Sequence, residues 1–389
     1  MGWGPYIMDE WIPGVQITLH ENPNYFRHSE GLPKFSHLVF RFTNGDANEA
    51  ITAILAGDCD IVDQTTSLYS QEQLLLDLES AGLINAAFST GSAWDHADFN
   101  IQPVSSIINK GVFAGWDVDG NGDGPFGDVR LRQAIAMCMD RQAVIDTALF
   151  GQTEMMDSYV PYNHPLYDPV ATHWPHDPSA AAALLDEIGW LDTDNDPATP
   201  RVAQEVTGVP DGTQLFFNYE TTDAPLRQQV TQMLAQNLAD CGIQVYLWYH
   251  PASEWFAAGP DGRLNGRKYD LGEFAWLTGL RPPCDLYLST QVPREENGWS
   301  GQNTPGFHDP AYDAACNTQI QSLPGEADYE PAVKEAQRIF AEQIPVIPLF
   351  LRYMLAATRP DMCNFIMDPT AVSELWNIEN FDYGTVCSK

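Results

Sequence analysis

Apolar positions in this chain recur with two different periods. Residues 15–19 (VQITL) and 38–42 (LVFRF) alternate apolar and polar side chains, which predicts half-buried strands. Asp46 then stands as an N-cap before Ala47, Ala50, Ile51, Ile54 and Leu55, a helical stripe closed by Gly57. Ile61 and Val62 return as a strand, and the succession reads as a βαβ unit with parallel pairing. A second unit follows the same order. Residues 215–219 form a strand, Asp223-Ala224-Pro225 opens a helix, and Leu226, Val230, Met233, Leu234 and Leu238 make its apolar face. Gly242 closes that helix and residues 243–249 alternate as the next strand. The spacing also predicts helices over 129–149, 178–188 and 328–343, the second with Asp177 as N-cap and Pro178 in its first turn. Interleaved strands and helices argue for α/β lobes rather than a sandwich or a bundle.

At 389 residues the chain has room for two or three domains of about 150 residues each. Lys and Arg total 19 against 53 Asp and Glu, a formal charge of −34. That excess repels phosphate backbones and anionic lipid, so a nucleic-acid partner is excluded. A hydrophobic content of 44%, with 11 Trp, 15 Tyr and 18 Phe, is too apolar for a disordered acidic chain. No stretch approaches the roughly 18 apolar residues of a membrane-spanning helix. The opening Met1-Gly2-Trp3-Gly4-Pro5 has neither the basic start nor the apolar core of a signal peptide. Seven cysteines are scattered without a CxxC pair, so zinc spacing is missing. Cys138 and Cys241 fall on apolar helical faces and read as buried thiols. Cys284, Cys316, Cys363 and Cys387 fall in loop-like or terminal stretches, open to pairing in an oxidising compartment.

The sharpest local motif is the acidic loop at 117–128. Asp117, Asp119, Asn121, Asp123 and Asp128 place oxygens at positions 1, 3, 5, 7 and 12, with glycine at 6, the spacing by which an EF-hand loop wraps calcium. The preceding segment makes a poor entering helix, so the two readings are a structural calcium ion and an acidic turn with Asp128 as helix N-cap. Asp192, Asp194 and Asp196 repeat the alternation, but Pro197 replaces the needed glycine and a plain turn is expected. Catalytic signatures are missing: no GxSxG, HExxH, GxxxxGK[ST] or GxGxxG. What remains is aromatic and polar residues in stretches that read as loops or strand ends. Trp94 and His96 follow the loop-like 89–93, Trp276 and Arg281 close a strand, and Trp299 and Asn303 share a glycine-rich loop. Flat side chains that lose little entropy on ordering suit a ligand cleft, with Arg and Asn fixing orientation.

In order and spacing these residues resemble the family 5 extracellular solute-binding proteins, the peptide- and nickel-type binding subunits of ABC importers. Gly2-Trp3-Gly4-Pro5-Tyr6, then Glu10-Trp11 and Asn22-Pro23-Asn24-Tyr25, resemble that family's GTGPY…W…NPxYW segment. Gly57-Asp58-Cys59-Asp60 is similar to its GExD turn. Phe126, Asp128, Arg130, Arg132, Gln133, Ala134, Asp140 and Arg141 fit its FxDxRVRQAxxxxxDR signature, the most specific piece. Asn303, Gly306, Phe307 and Asp313 follow NxxGYxNPxxD, and Pro345, Pro348 and Leu349 follow its late xPxxPL strand.

The resemblance implies a periplasmic-binding-protein-like type II α/β fold, two mixed-sheet lobes around a cleft, with the family's N-terminal part missing. The remainder of the first lobe is then 1–125, the second lobe 126–345, and 346–389 a C-terminal return. It further implies a monomeric, non-enzymatic protein that captures a peptide or similar oligomer, or alternatively an oligosaccharide, for ABC permease subunits in the membrane. Its place is then periplasmic or extracellular, lipoprotein-anchored in full-length form, with no required cofactor; structural calcium stays one of the two readings of the acidic loop. Trp94, His96, Trp276, Arg281, Trp299 and Asn303 become the expected cleft residues, and Arg130 and Arg132 structural anchors. One departure bears on the ligand. Peptide binders of the family carry an Asp three residues after the tryptophan matching Trp276, and it pairs with the peptide amino group; here Gly279 stands there, leaving Asp95 or Asp285 as substitutes. Rival readings from other classes are a secreted hydrolase and a calcium-stabilised surface module.

Overall fold

The computed structural model describes the chain except residues 1, 44–45, 64–65, 67, 69–70, 105–110, 114–122, 197–198, 372 and 385–389. It divides into two compact units, Met1–Gly91 with Tyr353–Lys389, and Ser92–Arg352. The motifs set limits near 125 and 345, whereas the units divide inside two long strands, between Gly91 and Ser92 and between Arg352 and Tyr353.

In the first unit, β1 (Tyr6–Ile12), β2 (Gln16–Glu21) and β3 (His37–Arg41) make an antiparallel sheet. The helix α1 (Ala47–Ala56) starts at Asp46, whose carboxylate accepts from the amides of Asn48 and Glu49, and stops at Gly57 with φ 78°. Next come β4 (Ile61–Val62) and α2 (Glu72–Ser80). The parallel βαβ reading of this stretch is corrected. The strand β3 pairs with β2, while β4 belongs to another sheet and pairs antiparallel with residues 357–358. Alternation identifies a strand but not its partner, and the partner of β4 lies almost 300 residues away.

The strand β5 (Asn85–Phe99) carries the chain into the second unit. Its residues 89–93, small and polar, read as loop; cross-strand pairing makes them strand, with Ala93 opposite Leu277. The predicted helix over 129–149 is two helices, α3 (Val129–Cys138) and α4 (Arg141–Ala148). Met139 is extended and Asp140 restarts the helix by accepting from the Ala143 amide. There follow α5 (Pro178–Glu187), capped by Asp177, and the short pair β6 (Trp190–Leu191) and β7 (Val202–Ala203). Then β8 (Phe216–Thr222), α6 (Pro225–Asp240) and β9 (Gln244–His250) form the second expected unit, and here the pairing is parallel throughout. The rest is α7 (Ala252–Trp255), β10 (Leu271–Leu277), α8 (Pro310–Gln321), α9 (Tyr329–Gln343) and β11 (Val346–Thr358), which leads back to the first unit and its pair β12 (Met362–Cys363) and β13 (Asp382–Tyr383). The strand order β11–β5–β10–β8–β9 is a mixed sheet, with β10 antiparallel to β5 and parallel to β8. This is the expected α/β class.

Cys138 and Cys241 are joined in a disulfide, not buried as thiols. Both are buried, and burial is all that an apolar helical face reveals. Cys284 and Cys316 pair as well.

Candidate ligand site

Because β8, β9 and β10 run parallel, their C-terminal ends share one edge of the sheet, and the antiparallel β5 brings its early residues to the same edge. Outside such an edge the backbone turns away and side chains converge on open space, the usual ligand position in open α/β sheets. Residues directly opposite each other share a face. Trp94 faces Trp276 and His96 faces Phe274, so these four line one side. Glu220 and Thr222 join them from β8, and Trp248 and His250 from β9.

Ring contacts run continuously along this face. Centroids lie 4.4 Å apart for Trp94–His96, 4.5 Å for His96–Phe274 and 5.5 Å for Phe274–Trp276. Trp255, Leu264 and Tyr269 pack with Phe274 beneath Trp276, which is itself only partly buried. Gly272 makes the layer possible. A Cβ there would stand 2.9 Å from Tyr269 Cδ2 and 3.1 Å from Trp255 Cη2, both on fully buried rings that cannot move aside. Gly272→Ala is expected to cost about 1–3 kcal/mol by overpacking, read as a lower midpoint in chemical unfolding; an unchanged midpoint would mean that the rings yield.

Of the six expected cleft residues, the structure brings Trp94, His96 and Trp276 together. Trp94 and His96 are fully buried. Asn303 is engaged elsewhere: its Nδ2 donates to the carbonyls of Tyr287, Leu288 and Phe307, and its Oδ1 accepts from the Phe307 amide. It shapes a loop with no hydrogen-bonding atom left over. Arg281 is exposed and its Nη2 donates to the carbonyl of Ile320 at 3.0 Å, at the end of α8. Trp299 sits at φ 59°, packed against Gly259, where a Cβ would come 2.6 Å from its own.

Sequence reasoning missed the charges woven through the sheet. Asp95, on the opposite face, accepts from Arg352 at 2.5 and 3.1 Å and from Arg227 at 3.3 Å, so it is no free substitute for a missing counter-charge. Asp285 is exposed, in the short 3₁₀ helix Cys284–Tyr287. Glu273, fully buried beside Asp95, accepts from the Tyr219 hydroxyl at 2.6 Å, and burial pushes its carboxyl up to about 8. On the aromatic face His96 Nδ1 meets Asp98 Oδ1 at 2.6 Å while Thr304 donates to Oδ2. Burial raises the Asp98 carboxyl against the pull of His96. Glu220 meets His250 at 2.8 Å and Arg263 at 2.5 Å, with Arg263 stacked 4.4 Å over Trp248. The one sequence signal was a glutamate inside the apolar run LGEFAWL.

Most of the acidic loop, with Asp117, Asp119 and Asn121, lies outside the described residues. Asp128 is described and caps α3, accepting from the Arg130 amide and pairing with its guanidinium at 2.7 Å. Asp123 accepts from Gln102 at 3.1 Å. Among the described residues no group of three or more His, Cys, Asp or Glu is placed to hold a metal. Asp192 and Asp194 form the plain turn expected, accepting from the amides of Asn195 and Asp196.

Residues 1–297 match the family described as bacterial extracellular solute-binding proteins, family 5 Middle. The chain belongs to this family. It is similar to Di/tripeptide-binding protein 2 of Pseudomonas aeruginosa, 26% identical over 385 residues, covering 97% of this chain and 61% of that protein. Oligopeptide-binding protein AppA of Bacillus subtilis is 23% identical over 304 residues, covering 76% of this chain and 48% of that protein. Among solved structures, the oligopeptide binding protein from Thermus thermophilus complexed with a pentapeptide superposes with a TM-score of 0.68 at 23% identity, over 99% of this chain and 64% of that one. NikA from Brucella suis in complex with Fe(III)-EDTA gives 0.71 at 19%, over 98% and 68%. The chain thus spans about three-fifths of the length of the first of these relatives. Family and relatives alike are named for binding and not for a reaction.

Proposed function

We propose that the chain belongs to the solute-binding component of an ABC importer, capturing short peptides outside the cytoplasm and passing them to the transporter's membrane subunits. It performs no chemistry. The observation that carries the reading is the family match over residues 1–297, and the names of the similar proteins supply di-, tri- and oligopeptides as the ligand class. The site's form supports it: a partly buried tryptophan over a wall of rings at the open edge of a mixed sheet, with none of the nucleophile and base arrangements that hydrolysis requires noted in its sequence.

Thermal unfolding of the whole chain with peptide pools and, separately, oligosaccharide pools tests this. A ligand at about 100 times its Kd adds about 2.7 kcal/mol, a rise of several degrees in Tm for a unit of this size. The expected result is a shift with peptides alone. A cooperative melt that no peptide pool moves would overturn the peptide assignment, and a shift with sugars alone would replace it.

A further inference from the structure

A groove of about 930 Å³ opens on the second unit, within the size range of small-ligand pockets. Pro165, Leu166, Leu280, Pro324, Ala327 and Pro331 give it apolar walls, and the first turns of α9 close one side. Leu280 is 76% exposed, a large apolar side chain that the fold leaves uncovered. Tyr329 also lines the groove. It is 3% exposed, and its hydroxyl is buried with no partner among the described residues. Buried polar groups are nearly always paired, so the groove lacks a hydrogen-bonding group as well as an apolar cover. Its charged groups are engaged. Lys334 Nζ lies 2.6 Å from Glu330, and Arg338 lies 2.6 Å from Asp168 and 3.6 Å from Glu335. Glu326 accepts from the Leu323 amide at 2.8 Å; His164 Nδ1 accepts from the Leu166 amide, and its Nε2 stands 3.3 Å from the Leu280 carbonyl. The three glutamates outnumber Lys334 and Arg338, which sets the groove against an acidic occupant.

The groove adjoins the sheet edge of the candidate ligand site. The strand β10 ends at Leu277, and the chain leaving Trp276 meets the groove wall at Leu280, four residues on. Four residues span at most about 14 Å. An extended peptide of about five residues held at Trp276 is therefore long enough to reach the wall. Thr278 Oγ1 donates to the Tyr159 carbonyl, and the Tyr159 ring packs 5.0 Å from Phe340 of α9, which ties this turn to the helix. The helix lies on the aromatic side of the sheet. Phe340 packs 4.9 Å from Tyr287, whose hydroxyl pKa is raised by burial and further by the charge of Asp98 on that face.

We propose that this groove extends the ligand site and receives an apolar terminal side chain of a peptide of about five residues, the rest of which lies along the edge at Trp276. The inference rests on the peptide-binding reading and narrows it to peptides long enough to span both places and apolar at the end that enters the groove.

Two pentapeptides, Leu-Ala-Ala-Ala-Leu and Ser-Ala-Ala-Ala-Ser, titrated calorimetrically against the full chain and its Leu280→Asp variant, provide the test. Having the same residue at both ends, they report whichever end enters the groove. The expected result is that the leucine peptide binds the parent about tenfold more tightly than the serine peptide. Leu280→Asp should cut that preference to about threefold or less while leaving the ligand-free Tm unchanged, since the side chain is exposed. A preference that survives intact in Leu280→Asp would overturn the inference, because the leucine is then read elsewhere, and would leave peptide binding standing. Equal binding of the two peptides by the parent would do the same. If neither pentapeptide binds while a random tripeptide pool still raises Tm, the groove is no part of the site. If no peptide binds at all, the peptide reading falls and the inference with it.

Discussion

Arg132→Met is expected to cost the fold about 3–5 kcal/mol, lowering Tm by roughly 10 °C. Arg132 is 3% exposed, and its hydrogen bonds among the described residues go to no carboxylate. Its guanidinium donates instead to main-chain carbonyls: Nη2 to Gln343 at 2.6 Å, Nε to Gln343 at 3.0 Å and Ile344 at 3.2 Å, Nη1 to Phe126 at 2.6 Å and Gly127 at 3.2 Å. These carbonyls belong to the end of α9 and the turn before α3, groups that a helix terminus leaves without partners of its own. Ile344 adds to the demand. It is β-branched, yet holds φ 39° as the C-cap of α9, a conformation that persists only where its surroundings fix it. Burial lowers the Arg132 pKa to about 10, which still leaves it charged at neutral pH. Methionine keeps most of the stem and none of the donors. The adjacent Arg130 is the control: half-exposed and paired with Asp128, its loss should cost no more than about 1 kcal/mol. Calorimetry of the two variants side by side checks this, and equal small losses would show that the carbonyls find other partners.

Arg132 also shows where the sequence was legible. Its place in the FxDxRVRQA signature marked it as an anchor, but two of its carbonyl partners, Gln343 and Ile344, lie 211 and 212 residues on and no local pattern predicts them. The same division runs through the fold. The β8–α6–β9 unit was readable because alternation, Pro225 and Gly242 all agree within 35 residues. The strand at 85–99 was not, because Ser89, Thr90, Gly91 and Ser92 have no strand pattern of their own and are extended by their neighbours. Cys138 and Cys241 meet across 103 residues. In the site, aromatic residues at strand ends did point to the Trp94, His96 and Trp276 layer. Polar type alone did not distinguish Asn303, whose amide is consumed by its own loop, from a residue free to meet a ligand. Nor could it show that Asp95 is held by Arg227 and Arg352, 132 and 257 residues away.

Glu273→Gln is expected to stabilise the protein at neutral and alkaline pH and to do nothing in mild acid. Burial is the main cause that lifts the Glu273 carboxyl from 4.5 to about 8, and the charge of Asp95 adds to it. The Tyr219 hydroxyl, Arg227 and Arg352 pull the other way without prevailing. Between those two values the folded chain holds a proton that the unfolded chain has released, so stability falls as pH rises through about 4.5 to 8. Below that window both states are protonated and the penalty vanishes. Above it the penalty is complete. At pH 7 it amounts to about 3 kcal/mol. Glutamine has the same shape, can accept from Tyr219 and never ionises, so it removes the penalty while its amide NH₂ lies near the charge of Asp95. The difference in Tm between Glu273→Gln and the parent should therefore be close to zero near pH 4.5 and climb to several degrees by pH 8. Many other carboxylates titrate at low pH, but they do so in both proteins and cancel in the difference. A difference that stays flat across this range would place the Glu273 carboxyl in the ordinary range, and one that falls with pH would mean that its ionised form is the stabilised one, held by Arg227 and Arg352.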